Sequence, residues 1–332
     1  MNFRNLTELS LEFADGLNVV VGPNGIGKTN LLEAIAYLSI PRSFRGVQDR
    51  GLVRWGTDFM VVEGTVADEI TRHVIKIALA SNRKRIEIDS HPIKSYSELF
   101  ATFVSFVVSH HDHELIDGAP SFRRKRFDRF ISTFSPDYFR TLLDYRNIVE
   151  QKNFVLKNEP DERILRAINA RMMHYGNRLI EERRKFVESL SERFSGMVLR
   201  LVGKEGELRY VPSVEKLTNE ELDSVLPEEI RRGFSLVGPH RDDYVFELES
   251  HRAAETASEG EKRLMVLALV MSVRQLWEEV KGEAPVLLLD EPLSLLGDDK
   301  ILQLKELLTG QTILTAIRHP FSGANVINLG KL

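Results

Sequence analysis

The chain has 332 residues, 42% hydrophobic and 28% charged, which excludes a disordered chain and predicts two lobes rather than a single core. With no cysteine, disulfides, thiolate metal sites, iron–sulfur clusters and cysteine nucleophiles are all excluded. Forty-five basic against 49 acidic residues leave a net charge of −4, so nothing global advertises a nucleic-acid partner.

The first strong element is Leu17–Gly22 (LNVVVG), a β-branched run that reads as a buried strand. Lys28–Ser39 follows, with Leu31, Leu32, Ile35 and Leu38 at helical spacing. Residues 59–66, 73–79 and 85–89 read as strands, and Leu99–Val108 as another. From Pro136 to about Leu201 the only internal proline is Pro160. Apolar residues from Ile164 through Met172, Leu179, Phe186, Leu190 and Phe194 to Leu201 recur there mostly in steps of three and four. The pattern predicts a helical arm of roughly 60 Å, broken near Gly176; a pair of ordinary bundle helices is the alternative. Glu261–Trp277 is apolar nearly all round and predicts a buried helix. Pro285–Asp290 (PVLLLD) predicts a central parallel strand, and Thr312–Ala316 and Val326–Leu329 close the pattern. The longest largely apolar stretch, Leu264–Val273, is ten residues, too short to cross a bilayer, and no apolar leader opens the chain. A cytoplasmic α/β protein with no membrane partner is expected: a head split into 1–108 and 233–332 by an inserted α-rich arm lobe, 109–232.

Gly22-Pro23-Asn24-Gly25-Ile26-Gly27-Lys28-Thr29 fits G-x-x-x-x-G-K-[ST] between a strand and a helix, where a phosphate cradle requires it. The glycines let backbone N–H groups turn inward around phosphates, and the helix adds its positive end. Lys28 supplies a charge to the phosphates and Thr29 a hydroxyl for Mg²⁺, with Asn30 completing the set. The alternative is a glycine-rich turn that binds nothing. Val286–Leu289 then delivers Asp290 to the metal, while Glu291 is positioned to orient and deprotonate an attacking water. Behind such a loop, the Asp-Glu pair argues for hydrolysis rather than binding alone.

Ala257-Ser258-Glu259-Gly260-Glu261 leads into the buried helix. Ser258 and Glu261 form an S-x-x-E capping box. The same residues resemble the signature motif of ABC-type ATPases, in which the serine hydroxyl, the glycine N–H and the helix end meet the γ-phosphate held by the opposite subunit. A capped helix end is also an anion site, so the two readings are compatible. The resemblance implies that Ser258, Gly260 and Glu261 act in trans on ATP sandwiched between two protomers, with Leu293–Asp298 crossing the dimer interface.

Further motifs keep these company. Asn2-Phe3-Arg4-Asn5, Asn30-Leu31-Leu32-Glu33-Ala34-Ile35, Arg42-Ser43-Phe44-Arg45, Pro120-Ser121 with Arg123-Arg124, and Val237-Gly238-Pro239-His240-Arg241-Asp242-Asp243 occur in this order over nearly the full length. Together with Ser258-x-Gly-Glu they closely resemble the RecF family, bacterial recombination mediators related to SMC proteins but lacking their long coiled coil. The resemblance implies an ABC-type head, with a P-loop and a mixed sheet flanked by helices, that uses ATP and Mg²⁺. It implies weak, DNA-stimulated ATP hydrolysis coupled to an ATP-dependent homodimer that grips double-stranded or gapped DNA near the nucleoid. It also implies work with RecR and RecO, and indirectly with RecA. Arg123, Arg124, Lys125 and Arg126 are the candidate DNA contacts; like Arg83–Arg85 and Arg183–Lys185, they are otherwise a solvated face.

Several positions depart from that family's pattern. The chain opens at the Asn-Phe-Arg-Asn motif, so most of the usual first strand is expected to be missing. Asp290-Glu291 stands where Asp-Asp is frequent, which favours a conventional general base. Ser109-His110-His111-Asp112 stands where related ATPases carry a metal-bridging glutamine; a histidine substitute and a solvated turn both remain open, the turn being preferred. Gly297 replaces a usual Asp, and His319 lies three residues beyond Ala316, the place of the transporter switch histidine. Arg241, Asp242 and Asp243 read as an ionic network in preference to a coupling element. A transporter nucleotide-binding subunit is disfavoured because 230 residues separate Lys28 from Ser258. An SMC-type structural protein is disfavoured by the short insert, and a nuclease-fused ATPase by the lack of a spare acidic metal site.

Overall fold

The computed structural model describes residues 1–67, 70–81, 83–158, 160–292, 298–318 and 321–331. They form two compact units: Met1–Asp112 with Arg274–Leu332, and His113–Val273. The first junction lies four residues beyond the expected one. The second lies far beyond residue 232, because the strands at Asp243–Leu248 and His251–Arg252 are hydrogen-bonded within the inserted unit rather than to the head.

In chain order the first unit opens with β1 (Leu17–Val21) and α1 (Lys28–Ser39), as the sequence pattern predicts. An antiparallel meander follows, β2 (Phe59–Ala67), β3 (Arg72–Ala80), β4 (Arg83–Ile88) and β5 (His91–Pro92). The strand expected over Leu99–Val108 is a helix, α2 (Tyr96–Thr102), followed by a shorter strand, β6 (Ser105–Val108). The reason is local: Glu98 Oε1 accepts the Lys94 and Ser95 N–H groups at 2.9 and 3.1 Å, capping a helix start that the apolar run conceals.

The inserted unit carries α3 (Glu114–Asp117), α4 (Pro120–Phe134), α5 (Pro136–Asn158) and α6 (Glu162–Val202). The sheet and helices that follow are β7 (Gly206–Val211), α7 (Asn219–Arg232), β8 (Asp243–Leu248), β9 (His251–Arg252) and α8 (Ala253–Thr256). α6 runs unbroken for 41 residues, about 61 Å. The chain turns before it, where Asp161 Oδ1 caps the Arg163 N–H at 2.7 Å. Gly176 is no break but a close approach: a Cβ there would sit 2.5 Å from Leu217 and 3.1 Å from Tyr145.

α9 (Glu259–Lys281) leads back to the first unit, which ends with β10 (Val286–Leu289), α10 (Asp298–Leu307), β11 (Thr312–Ala316) and β12 (Asn325–Asn328). The five strands β12-β1-β11-β10-β6 form one wholly parallel sheet, so parallel and antiparallel strands sit in separate sheets. α1 is buried on two sides. Leu31, Leu32 and Ala36 pack with Val20, Val107, Leu288 and Ile313 of the parallel sheet, while Ala34, Tyr37 and Leu38 pack with Met60, Val62, Ile75 and Ile77 of the meander. The loop that precedes α1 is thus anchored by a helix with little freedom to move.

Candidate functional site

In an open parallel sheet the carboxyl ends of the strands carry the binding loops. Here Val21 pairs with Ala316, and Leu289 with both Leu314 and Val108. Gly22, Asp290 and the Ser109 turn therefore emerge at the same edge.

Gly22–Gly27 is a mostly exposed loop running into α1, whose N-cap, Gly27, has φ +115 and offers no side-chain cap. A side chain at Gly27 would strike the Asn5 amide at 2.8 Å. Lys28 is buried, and its Nζ donates back to the Gly22 and Pro23 carbonyls at 2.9 and 3.2 Å. It also lies 3.4 Å from Glu291. The Thr29 hydroxyl donates to both oxygens of Asp290, at 2.9 and 3.0 Å.

Asp290 leaves β10 with its N–H bound to the Val108 carbonyl at 2.8 Å and accepts a second hydroxyl, Thr315, at 2.9 Å. Burial pushes its carboxyl above the usual aspartate value, an effect to which the neighbouring Glu291 charge adds and which the two hydroxyls oppose. Glu291 is at φ +49, in the left-handed region, which costs about 1 kcal/mol for a side chain with a Cβ. Its N–H is held by Thr315 Oγ1 at 2.8 Å. Thr315 thus fixes both acidic residues and was not picked out from the sequence. The signal was available: it is a hydroxyl in the wholly buried strand TILTA, one step beyond the Leu289–Leu314 pair.

Behind the loop lies a polar network that joins motifs the sequence singles out separately. Asn5 Nδ2 donates to the Ile26 carbonyl at 3.0 Å, and Asn30 donates to Asn5 Oδ1 at 2.7 Å. Arg45 donates to Asn30 Oδ1 at 3.0 Å. The Glu33 side chain is fully buried on α1 and is met by Arg4 at 2.5 and 3.1 Å, by the Ser43 hydroxyl and by Arg45 at 3.8 Å. The segments around residues 2–5, 30–35 and 42–45 are therefore one cluster that braces the loop.

In the inserted unit, Ser258 and Glu261 form the expected capping box. The Ser258 N–H and hydroxyl reach Glu261 Oε2 at 2.8 and 2.9 Å. Lys204, at 2.8 Å, and the Ser258 bonds hold the Glu261 carboxyl down at about 2. Ser258 is exposed, and a Cβ at Gly260 would meet nothing within 4 Å, so this helix end is open to a second molecule.

The four basic residues expected to make a DNA-contacting patch do not form one face. Arg123 and Arg126 are buried. Arg123 is committed to Asp243 at 2.7 and 2.8 Å, and Arg124 donates to the Asp242 carbonyl at 2.7 Å. Only Lys125 is exposed. Arg183, expected on a solvated face, is among the largest fully buried side chains and pairs with Asp128 at 2.7 Å and Asp242 at 2.9 Å. Its spacing, four after Leu179 and three before Phe186, places it on the apolar stripe. Asp242 and Asp243 therefore belong to the expected ionic network, whereas Arg241 donates to the Ser235 carbonyl.

Residues 110–113 form a short 3-10 turn in which Asp112 accepts the Ser109 N–H at 2.7 Å. Of Leu293–Asp298, the segment expected to cross a dimer interface, residues 293–297 lie outside the described residues, as does His319.

A family model of the RecF/RecN/SMC N-terminal domain matches residues 1–325. The DNA replication and repair protein RecF of Moorella thermoacetica is 35% identical over 341 aligned positions, covering 100% of this chain and 92% of its own. The chain belongs to the RecF family. Its counterpart from Leptospira interrogans (serovar Lai) is 35% identical over 298 positions, covering 87% of this chain and 82% of the relative. Among solved structures, the recombination mediator protein RecF-ATPrS of the RecFOR pathway superposes with a TM-score of 0.90 at 31% identity, covering 99% of this RecF-family chain and 94% of that one. An Smc head bound to the C-terminal winged-helix domain of ScpA matches at a TM-score of 0.54 and 18% identity, a likeness of fold alone.

Proposed function

We propose that this chain binds ATP with Mg²⁺ at the Gly22–Asn30 loop, hydrolyses it, and uses the nucleotide to close a homodimer on double-stranded or gapped DNA during recombinational repair. The observation that carries the reading is the convergence at one sheet edge of Thr29 on Asp290 and of Lys28 on Glu291. The RecF-ATPrS and RecF-ATP structures support ATP as the nucleotide. Their place in the RecFOR pathway supports RecR with RecO as partners; RecA loading is the outcome the family resemblance implies.

Within this reading the loop N–H groups and the first turn of α1 bind the β- and γ-phosphates, and buried Lys28 adds a fixed positive charge. The Thr29 hydroxyl and Asp290 carboxylate are adjacent hard oxygen donors, which suits Mg²⁺. Among the described residues no cluster of three or more His, Asp or Glu able to hold a metal forms, as fits an ion completed by phosphate oxygens and water rather than a protein cage. Bound there, Mg²⁺ supplies positive charge against the phosphates. Glu291, half-exposed and aimed by its left-handed backbone, accepts the proton of the attacking water. Ser258, Gly260 and Glu261 of a second copy supply the exposed helix end that completes the γ-phosphate site. In this scheme the unit Met1–Asp112 with Arg274–Leu332 carries the phosphate loop, and the unit His113–Val273 carries the Ser258 helix end.

The test is to weigh the protein in solution with and without Mg-ATP and a gapped duplex. Mass should double with ATP, and Lys28→Met should bind no nucleotide and stay single. A parent chain that remains a monomer with saturating nucleotide and ignores the duplex overturns the proposal.

A further inference from the structure

Beside the loop-bracing network, and sharing Arg4, Asn5 and Ser43 with it, lies a feature given no role in the phosphate site above. Trp55 is 98% exposed, and its indole makes no hydrogen bond or ring contact among the described residues. Tryptophan is highly buried on average, so a fully displayed ring is unusual. The ring is held out by a rigid support rather than by slack chain. The Arg54 N–H is bound to the Asn2 carbonyl at 2.9 Å, and a turn closes from Thr57 N–H to the Arg54 carbonyl at 3.1 Å, with Gly56 at φ +82.

Trp55 lines a groove of about 2240 Å³ on the first unit. That is more than twice the upper range for a small-molecule pocket, roughly 1,000 Å³. The groove is also basic. Lys84 is balanced by Asp49 at 2.8 Å, but the guanidiniums of Arg42 and Arg50 have no partner among the described residues. The Arg54 guanidinium donates to the Asn5 carbonyl, and among the described residues Asp58 is the one other carboxylate in the lining. In the scheme proposed above the Gly22–Asn30 loop and Lys28 meet the nucleotide phosphates, which leaves these arginines for phosphates of another molecule.

An aromatic platform beside unpaired arginines in an open groove suits a single nucleic-acid strand: bases stack on the ring and the backbone follows the positive charge. We propose that the Trp55 groove is a single-strand lane, in which an unpaired base stacks on Trp55 while Arg42 and Arg50 meet the flanking phosphates. This rests on the DNA-binding reading above and adds to it where the unpaired part of a gapped substrate is held.

The test uses the full chain and labelled oligo(dT), followed by anisotropy, with a blunt duplex of the same length in parallel. Trp55→Ala should weaken oligo(dT) binding about tenfold, and Trp55→Phe should restore most of it. Arg50→Glu should weaken binding and flatten its salt dependence. Duplex affinity should not change with Trp55→Ala. The other tryptophan, Trp277, is 7% exposed and edge-on to Phe106, so oligo(dT) should quench emission mainly through Trp55. Unchanged oligo(dT) affinity in Trp55→Ala, with duplex binding intact, overturns the lane alone. Quenching by Mg-ATP only, with a raised KM for ATP in Trp55→Ala, assigns the ring to the nucleotide base and also overturns it. A parent chain that binds neither DNA sinks the DNA-binding reading as well.

Discussion

Replacing Glu291 with Gln separates binding from hydrolysis at this site. Glu291 has 37% of its side chain exposed and sits 3.4 Å from Lys28, so the amide removes a proton acceptor while the buried Lys28 ammonium keeps the Gly22 and Pro23 carbonyls. The melting temperature should stay within about 1 °C of the parent, as for surface substitutions generally. Loss of a general base lowers turnover by about 10²- to 10⁴-fold. Binding should move the other way. A half-exposed ion pair is worth about 0.5 kcal/mol, so freeing Lys28 for phosphate should tighten ATP about twofold. The Glu291 charge also helps raise the Asp290 carboxyl, so the variant should keep Mg-dependent ATP binding to lower pH than the parent. Single-turnover hydrolysis and equilibrium nucleotide binding across pH read these effects, with sizing to detect a persistent ATP-bound dimer. Turnover within about threefold of the parent would refute the role of Glu291 as base, since that loss is far below general-base catalysis.

Ser258→Arg should lose about 1 kcal/mol of helix capping and still bind ATP, but fail to dimerise; normal ATP-driven dimerisation would leave Ser258 as a cap only. Glu33→Ala should cost about 2 kcal/mol, below the 3–5 of a fully buried pair because the Arg4 side chain is 16% exposed, and should weaken ATP binding as Arg4 and Arg45, beside Asn5 and Asn30, lose their shared anchor. Thermal melting with and without nucleotide reads both effects, and an unchanged ATP-induced shift would separate the network from the site. His240 is pushed down to about 4, mainly by burial. Because its folded value lies below its unfolded one, the stability it contributes is present above about pH 6.5 and is lost as pH falls toward 4. Denaturation midpoints across that window should fall less steeply in His240→Gln, and parallel slopes would remove His240 as the cause.

Much of the site was legible because its chemistry is contiguous. The G-x-x-x-x-G-K-T loop lies between a β-branched run and an apolar helix, and Asp290-Glu291 ends an unbroken apolar strand; local pattern suffices for each. The motif order was also enough to mark the RecF resemblance. Leu99–Thr102 was misread because apolar content alone does not separate a buried strand from a buried helix, and the deciding Glu98 cap is a side-chain contact. Arg123, Arg126 and Arg183 were misread for a related reason. Whether an arginine is solvated depends on which carboxylates the fold brings to it, and Asp128 and Asp242 lie 55 and 59 residues from Arg183. Composition and spacing thus determined which chemistry the chain carries and where each piece sits along it. Tertiary structure alone decided that Asn5, Glu33 and Arg45 brace one loop, that Thr315 fixes both acidic residues, and that Trp55 is left facing water. Those outcomes depend on pairings between segments distant in the chain, and no local periodicity encodes them.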